Sequence, residues 1–133
     1  MIGLDTNVLV RYFTQDDPIQ SRIANAFVAR LSIDEPGFIS VIVVAEVAWV
    51  LESVYRLSDL EIAAVIEQLL QADALIVDCE QDVYMALAAL RSGMGSFADA
   101  LIAALGAKAG CSSTVTFDAK ALRIPGFADI KSL

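Results

Sequence analysis

The sequence predicts an α/β fold: a three-layer α/β/α sandwich with a central, mostly parallel sheet of four or five strands. Three observations lead there. Short apolar runs of strand length alternate with longer segments of helical spacing, the order that builds parallel sheets. Turn and capping residues fall at the joints between these segments. No linker, internal repeat or low-complexity tract interrupts the 133 residues. A single domain over residues 1–133 is therefore expected, burying roughly two-thirds of its unfolded surface.

Taken in order, Ile2 to Leu4 reads as a buried first strand, expected near the centre of the sheet. Asn7 to Phe13 has the spacing of a short helix. Pro18 suits the first turn of a second helix reaching about Leu31, with Asp16 and Asp17 near its positive end. Asp34-Glu35-Pro36-Gly37 is turn chemistry, and Phe38-Ile39 is a short strand. Ser40 can cap a long helix from Val41 to about Tyr55, and Ser58 with Glu61 forms a capping box opening another to about Gln71. Leu75-Ile76-Val77 is the third strand, and Asp82 to Arg91 is helical until Gly93-Met94-Gly95 breaks it. Ser96 starts a helix that Gly110 stops. Thr114 to Phe117 is a fourth strand, and Phe127-Ala128 adds a short fifth.

Hydrophobic residues make up 57% of the chain and the mean hydropathy is +0.64, high for a soluble protein. No apolar run reaches the ~20 residues of a spanning helix, and no basic segment precedes an apolar one at the start. A soluble protein in the cytoplasm, not a membrane protein, is the expectation. So apolar a chain should expose hydrophobic surface, which argues for a homodimer interface or a partner groove. The net charge of −8 argues against holding nucleic acid on a broad basic face. Cys79 and Cys111, without CxxC spacing, read as small core residues.

The absence of histidine restricts the chemistry more sharply. It removes Ser-His-Asp and Cys-His catalysis, histidine acid–base pairs and histidine metal ligation. Hydrolysis would then rest on carboxylates, hydroxyls, lysine, or a metal held by oxygen.

Four carboxylates stand out. Asp5 ends the first apolar run, and strand tips are where open α/β sheets bind ligands; it equally suits a cap for the following helix. Glu46 has only Ile42, Val43, Trp49 and Val50 at helical neighbour positions, in a helix apolar nearly all round. Such a helix is normally buried, where an unpaired carboxylate costs several kcal/mol. A distant arginine, a protonated acid or a metal cleft would each account for it. Asp99 completes a capping-box pattern with Ser96, yet opens the apolar run Ala100 to Leu105. Asp118 follows the Thr114–Phe117 strand and suits a turn cap, with Lys120 as a weak ion-pair partner. Gathered at one sheet edge, four such acids would repel unless protonated or bridged by cations. All-oxygen ligation favours Mg²⁺ or Mn²⁺ over zinc, and one or two such ions can activate water against a phosphodiester.

Leu4-Asp5-Thr6-Asn7-Val8-Leu9, Ala45-Glu46, Phe97-Ala98-Asp99-Ala100-Leu101-Ile102-Ala103 and Thr116-Phe117-Asp118 together resemble the PIN-domain ribonucleases. Within them they resemble the VapC-type toxins of bacterial toxin–antitoxin pairs. The motifs occur in the family's order and span nearly the whole chain.

The resemblance implies a metal-dependent endoribonuclease. Asp5 and Asp99 would be the main Mg²⁺ or Mn²⁺ ligands, Glu46 would complete the site, and Asp118 would support a second ion or a water. Asn7 would hold the Asp5 loop, and Thr116 would orient Asp118 or a water. Arg11, Arg91 and Lys120 lie near acidic motifs and are candidate phosphate contacts, with solvated surface charge as the plainer role. Activated water would leave a 5′-phosphate and a 3′-hydroxyl on RNA. A cognate antitoxin would pack a helix into an apolar groove, for which the helices at 41–55 and 58–71 are candidates. Trp49 and Tyr55 are candidates to line that groove, although Trp49 at this spacing also suits the core. A haloacid-dehalogenase-like phosphatase would want a second acid where Asn7 stands. A non-catalytic binding module would use the acids only as caps.

Overall fold

The computed structural model describes residues 1–133, and its contacts divide them into two compact units, Met1–Glu80 and Gln81–Leu133.

The first unit holds β1 (Ile2–Gly3), α1 (Thr6–Thr14), α2 (Pro18–Arg30), β2 (Gly37–Ile39), α3 (Val41–Ser53), α4 (Asp59–Gln71) and β3 (Leu75–Val77). Its sheet has the order β1-β2-β3 and both pairings are parallel, Ile2 opposite Gly37 and Phe38 opposite Ile76. Each strand-to-strand connection runs through two helices, so the alternation read from the sequence is a true crossover pattern. β1 lies at the edge of this sheet, not at its centre, because its hydrogen bonds go to the β2 side alone (Ile2 N to Pro36 O, 3.0 Å; Leu4 N to Phe38 O, 2.9 Å). Ile2 and Gly3 are exposed, and burial starts at Leu4.

The helices begin where local chemistry says they should. Asp17 accepts hydrogen bonds from Ile19 N and Gln20 N just ahead of Pro18, and Ser40 caps α3 through Val43 N. Ser58 and Glu61 exchange both bonds of a capping box at the start of α4. Glu61 is held below the usual carboxylate range, first by the Ser58 backbone N–H and then by its hydroxyl. The core of the unit is built from Leu9 of α1, Ile39 of β2, Val44, Val47 and Leu51 of α3, and Ile66 and Leu69 of α4. Burying each such side chain contributes about 1.5–3 kcal/mol. Gly37 sits where this packing is tightest. A Cβ there would lie 3.0 Å from both Leu31 Cδ1 and Leu75 Cδ2, so a side chain on the central strand would require both leucines to shift by a few tenths of an ångström.

Nearly all of α5 (Glu80–Arg91) lies in the second unit, with α6 (Phe97–Lys108), β4 (Thr114–Thr116) and β5 (Phe127–Asp129). β4 and β5 pair in parallel, Val115 opposite Ala128. The strands thus form a three-stranded and a two-stranded sheet rather than one sheet of four or five. Two short 3-10 turns, Ala121–Arg123 and Ile130–Ser132, were not anticipated; each is a single turn with no apolar periodicity of its own. Val83, Ala86, Leu87 and Leu90 bury one face of α5, and Phe97, Ala100, Leu101 and Ala104 one face of α6. Gly110 follows α6 at φ +97°, the left-handed backbone that glycine adopts without steric cost. Asp82 is buried on the first turn of α5, and Lys108 reaches its Oδ2 at 3.2 Å.

Candidate carboxylate site

In the first unit the site grows from the end of β1. Asp5 is the N-cap residue of α1, with extended backbone, and its Oδ1 accepts the Thr6 N–H at 2.8 Å. The same Thr6 donates its hydroxyl to Glu46 Oε1 at 2.5 Å, from the first turn of α1 to the second turn of α3. One residue therefore touches both acids, its backbone holding one carboxylate and its side chain the other. Asp5 Oδ2 and Glu46 Oε2 engage no donor, so each acid keeps one hard oxygen for a ligand.

This corrects the reading of Glu46 as a buried acid without a partner. Glu46 is exposed, and α3 is not buried all round: Val44, Val47, Ala48 and Leu51 face the core, while Ile42 (72% exposed) and Trp49 (60% exposed) share the open side with Glu46. An apolar helix need not be a buried one: only a single stripe of α3 is covered. Its partner is a threonine forty residues earlier. In the sequence Thr6 carries no signal of this role, because beside an Asp that already suits a cap it reads as ordinary helix-start chemistry.

In the second unit Asp99 is half-buried on the first turn of α6. Ser96 Oγ accepts the Asp99 N–H at 3.1 Å, but the carboxylate does not return the bond. Ser96 alone caps the helix, unlike the reciprocal pair at Ser58 and Glu61. The side chain of Asp99 is thus not consumed by capping. Asp118 is exposed beyond β4. Its Oδ1 accepts the Lys120 N–H at 2.9 Å, and its own N–H donates to Thr116 Oγ1 at 3.0 Å. The weak ion pair expected from Lys120 is replaced by this backbone contact, since an Asx turn satisfies the carboxylate locally. Within neither unit alone do three acidic or thiol side chains form a group able to hold a metal ion.

The remaining candidates separate by what they touch. Asn7 is exposed and its amide bonds nothing, so it does not hold the Asp5 loop; Thr6 does. Arg11 is committed to structure rather than open to phosphate. Its Nε donates to Gln20 Oε1 (2.7 Å) and its Nη1 to Asp16 Oδ1 (3.2 Å) and to the Tyr55 hydroxyl (3.0 Å). Desolvation opposes the charge of Arg11, but Asp16 and Tyr55 outweigh it and its pKa is raised. Tyr55 in turn donates to Asp16 Oδ2 at 2.6 Å and Thr14 to Oδ1 at 2.8 Å. These two bonds, the Tyr55 one foremost, hold the Asp16 carboxyl at about 2. Tyr55 therefore belongs to a polar clamp, and Trp49 is surface, not core. Arg91 is exposed on the last turn of α5 and Lys120 is exposed after β4. The expectation of two core cysteines also fails: Cys111 is exposed, and Cys79 is half-buried at φ +53°.

Parallel βαβ crossovers, a carboxylate at a strand end and another bonded to the helix start that follows it define an α/β protein with an acidic strand-tip site. The chain belongs to the PIN domain family, whose model matches residues 2–126. PIN domains are generally nucleases and typically use divalent metal ions. Comparison with curated proteins gives no match. No helix is long and apolar enough to cross a membrane.

Proposed function

We propose that this PIN domain is a metal-dependent endoribonuclease and the toxin of a toxin–antitoxin pair. The observation that carries the reading is Thr6 bonded to both Asp5 and Glu46. Two carboxylates sharing one residue repel each other unless a cation lies near. The donor set fits such a cation, since hard oxygens without histidine suit Mg²⁺ or Mn²⁺. Asp5 and Glu46 would hold it through the oxygens Thr6 leaves unengaged, and the family resemblance adds Asp99 and Asp118 as further ligands. When bound, the ion supplies an activated water and neutralises charge on the phosphodiester.

The chain's own residues supply the orientation. Thr6 fixes the rotamers of Asp5 and Glu46 before substrate arrives; the Lys120 backbone N–H does the same for Asp118, while Thr116 Oγ1 accepts the Asp118 backbone N–H. Preorganised acids keep the rearrangement cost of reaction low. The expected products carry a 5′-phosphate and a 3′-hydroxyl; cyclic 2′,3′-phosphates would mean that the RNA's own hydroxyl attacks, and would exclude this chemistry.

The toxin role draws support from α3 with its C-terminal cap and the start of α4, where Ile42, Trp49, Val54 and Leu60 are all at least 60% exposed. Exposed apolar residues on these helices suit a partner helix, here an antitoxin, or a second copy of the chain. The deciding experiment incubates purified protein with RNA in Mg²⁺, in Mn²⁺ and in chelator, beside Asp5→Asn. Cleavage that needs the ion and is lost in the variant supports the reading. Cleavage surviving both would end it.

A further inference from the structure

A hollow of about 420 Å³ opens in the first unit between β1, α1 and α2. Leu4, Val8 and Phe27 form apolar walls, and Asn7, Arg11 and Gln20 are its polar lining. Leu4 and Asn7 flank the Asp5-Thr6 pair in the chain, while Asp5, Thr6 and Glu46 themselves are not part of its lining.

Arg11 and Gln20 are fixed, and all three polar groups are incompletely used. Arg11 is anchored through Nε to Gln20 and through Nη1 to Asp16 and Tyr55, which leaves Nη2 without a partner. Gln20 presents Oε1 to Arg11, because only the oxygen can accept that bond, so its Nε2 remains an unused donor. The amide of Asn7 bonds nothing in the chain and offers both a donor and an acceptor. A concave apolar surface with a few convergent polar groups is the form of a small-ligand site. The Arg11 charge is already balanced by Asp16, so the hollow is not built to capture a phosphate; it offers hydrogen bonds to a neutral, flat, acceptor-bearing group.

We infer that the hollow between α1 and α2 binds one base of the RNA strand, a guanine. This rests on the ribonuclease reading for its substrate but concerns a separate set of residues. Guanine presents O6 and N7 as adjacent acceptors, which two donors such as Arg11 Nη2 and Gln20 Nε2 can meet together. Apolar walls favour an unstacked base of a single strand, the form in which RNA sequence is usually read. Arg11 and Gln20 would then determine specificity, while Asp5 and Glu46 serve the chemistry.

The test uses the full chain with 5′-GMP, AMP, CMP and UMP as probes, following the side-chain amide signals of Asn7 and Gln20 by NMR. GMP should shift both signals and bind more tightly than the other three, and Gln20→Leu should weaken GMP about tenfold, the order of one good base contact. In cleavage of RNA, Gln20→Leu should lose the preference for guanine-containing sites. Equal or absent binding of the four nucleotides, or GMP affinity unaltered in Gln20→Leu, would overturn the inference. Asp5→Asn separates the two readings. If that variant cuts as the parent does but GMP still occupies the hollow, the ribonuclease site is wrong and the base pocket stands. If cutting depends on Asp5 and GMP leaves the amide signals unmoved, the pocket alone fails.

Discussion

Thr6 and Glu46, forty residues apart in the chain, are joined by a hydrogen bond of 2.5 Å that ties the start of α1 to the second turn of α3. Its backbone N–H holds Asp5 at the same time. A residue with neither charge nor metal affinity of note therefore sets the relation between two acids that carry both.

Replacing Thr6 with valine should lower RNA cleavage about 10- to 100-fold, the usual cost of losing a partner that orients a metal ligand. Stability should fall by no more than about 1.5 kcal/mol, because the bond is solvent-accessible. Thr6→Ser should recover most of the activity. Cleavage rates beside urea denaturation check this, and a valine variant as active as the parent would remove Thr6 from the site.

Asp99→Asn should reduce cleavage by more than about 100-fold, beyond what orienting residues cost. Ser96 still caps α6 in that variant, since its oxygen accepts the backbone N–H and not the side chain, so the melting temperature should hardly move. Parallel activity and melting measurements distinguish a lost ligand from a lost cap.

Asp16 makes the clearest pH prediction. Its carboxyl is held at about 2 in the folded chain against an ordinary 3.8. The unfolded chain therefore binds the proton more readily. The stability Asp16 contributes is fully present above pH 3.8 and is lost as pH falls through about 2. Tyr55→Phe removes the largest cause, so the Asp16 pKa should rise toward its ordinary value. Carboxyl NMR titration of the two proteins reads the shift, and an unmoved Asp16 would contradict the clamp.

Lys108→Met should destabilise the second unit by about 1–3 kcal/mol. Asp82 is 7% exposed, and the ammonium at 3.2 Å is withdrawn in that variant while the acid stays buried. Equilibrium unfolding in urea would measure it.

Trp49→Glu should leave stability within about 0.5 kcal/mol, as expected for an exposed position. Self-association, or retention of a copurifying antitoxin, should be lost. Size-exclusion chromatography of parent and variant checks both, and an unaltered elution would turn attention away from α3.

Helix starts were largely legible in the sequence because capping is a matter of three or four residues. Ser40, Ser58 with Glu61, Pro18 and Ser96 each mark a boundary to within a residue or two of where the helix begins. Strand positions were legible for a similar reason: Leu75–Val77 is bounded by its own turns. Burial was not. The apolar run at Val41–Leu51 identifies a helix, but which of its faces is covered depends on what packs against it, and periodicity blurs when nearly every position is apolar.

What the sequence determined by itself was the alternation of elements, the absence of histidine and the identities of the acids, since local backbone preference and side-chain chemistry need no neighbour to be read. Only the tertiary structure decided that β1 is an edge strand, that Glu46 is exposed and bonded to Thr6, and that Arg11 is held by Asp16, Gln20 and Tyr55. Each of these depends on which surfaces meet in space. The Thr6–Glu46 contact and the Tyr55 links to Asp16 and Arg11 span about forty residues of chain, a separation at which no pattern along the sequence specifies a hydrogen bond.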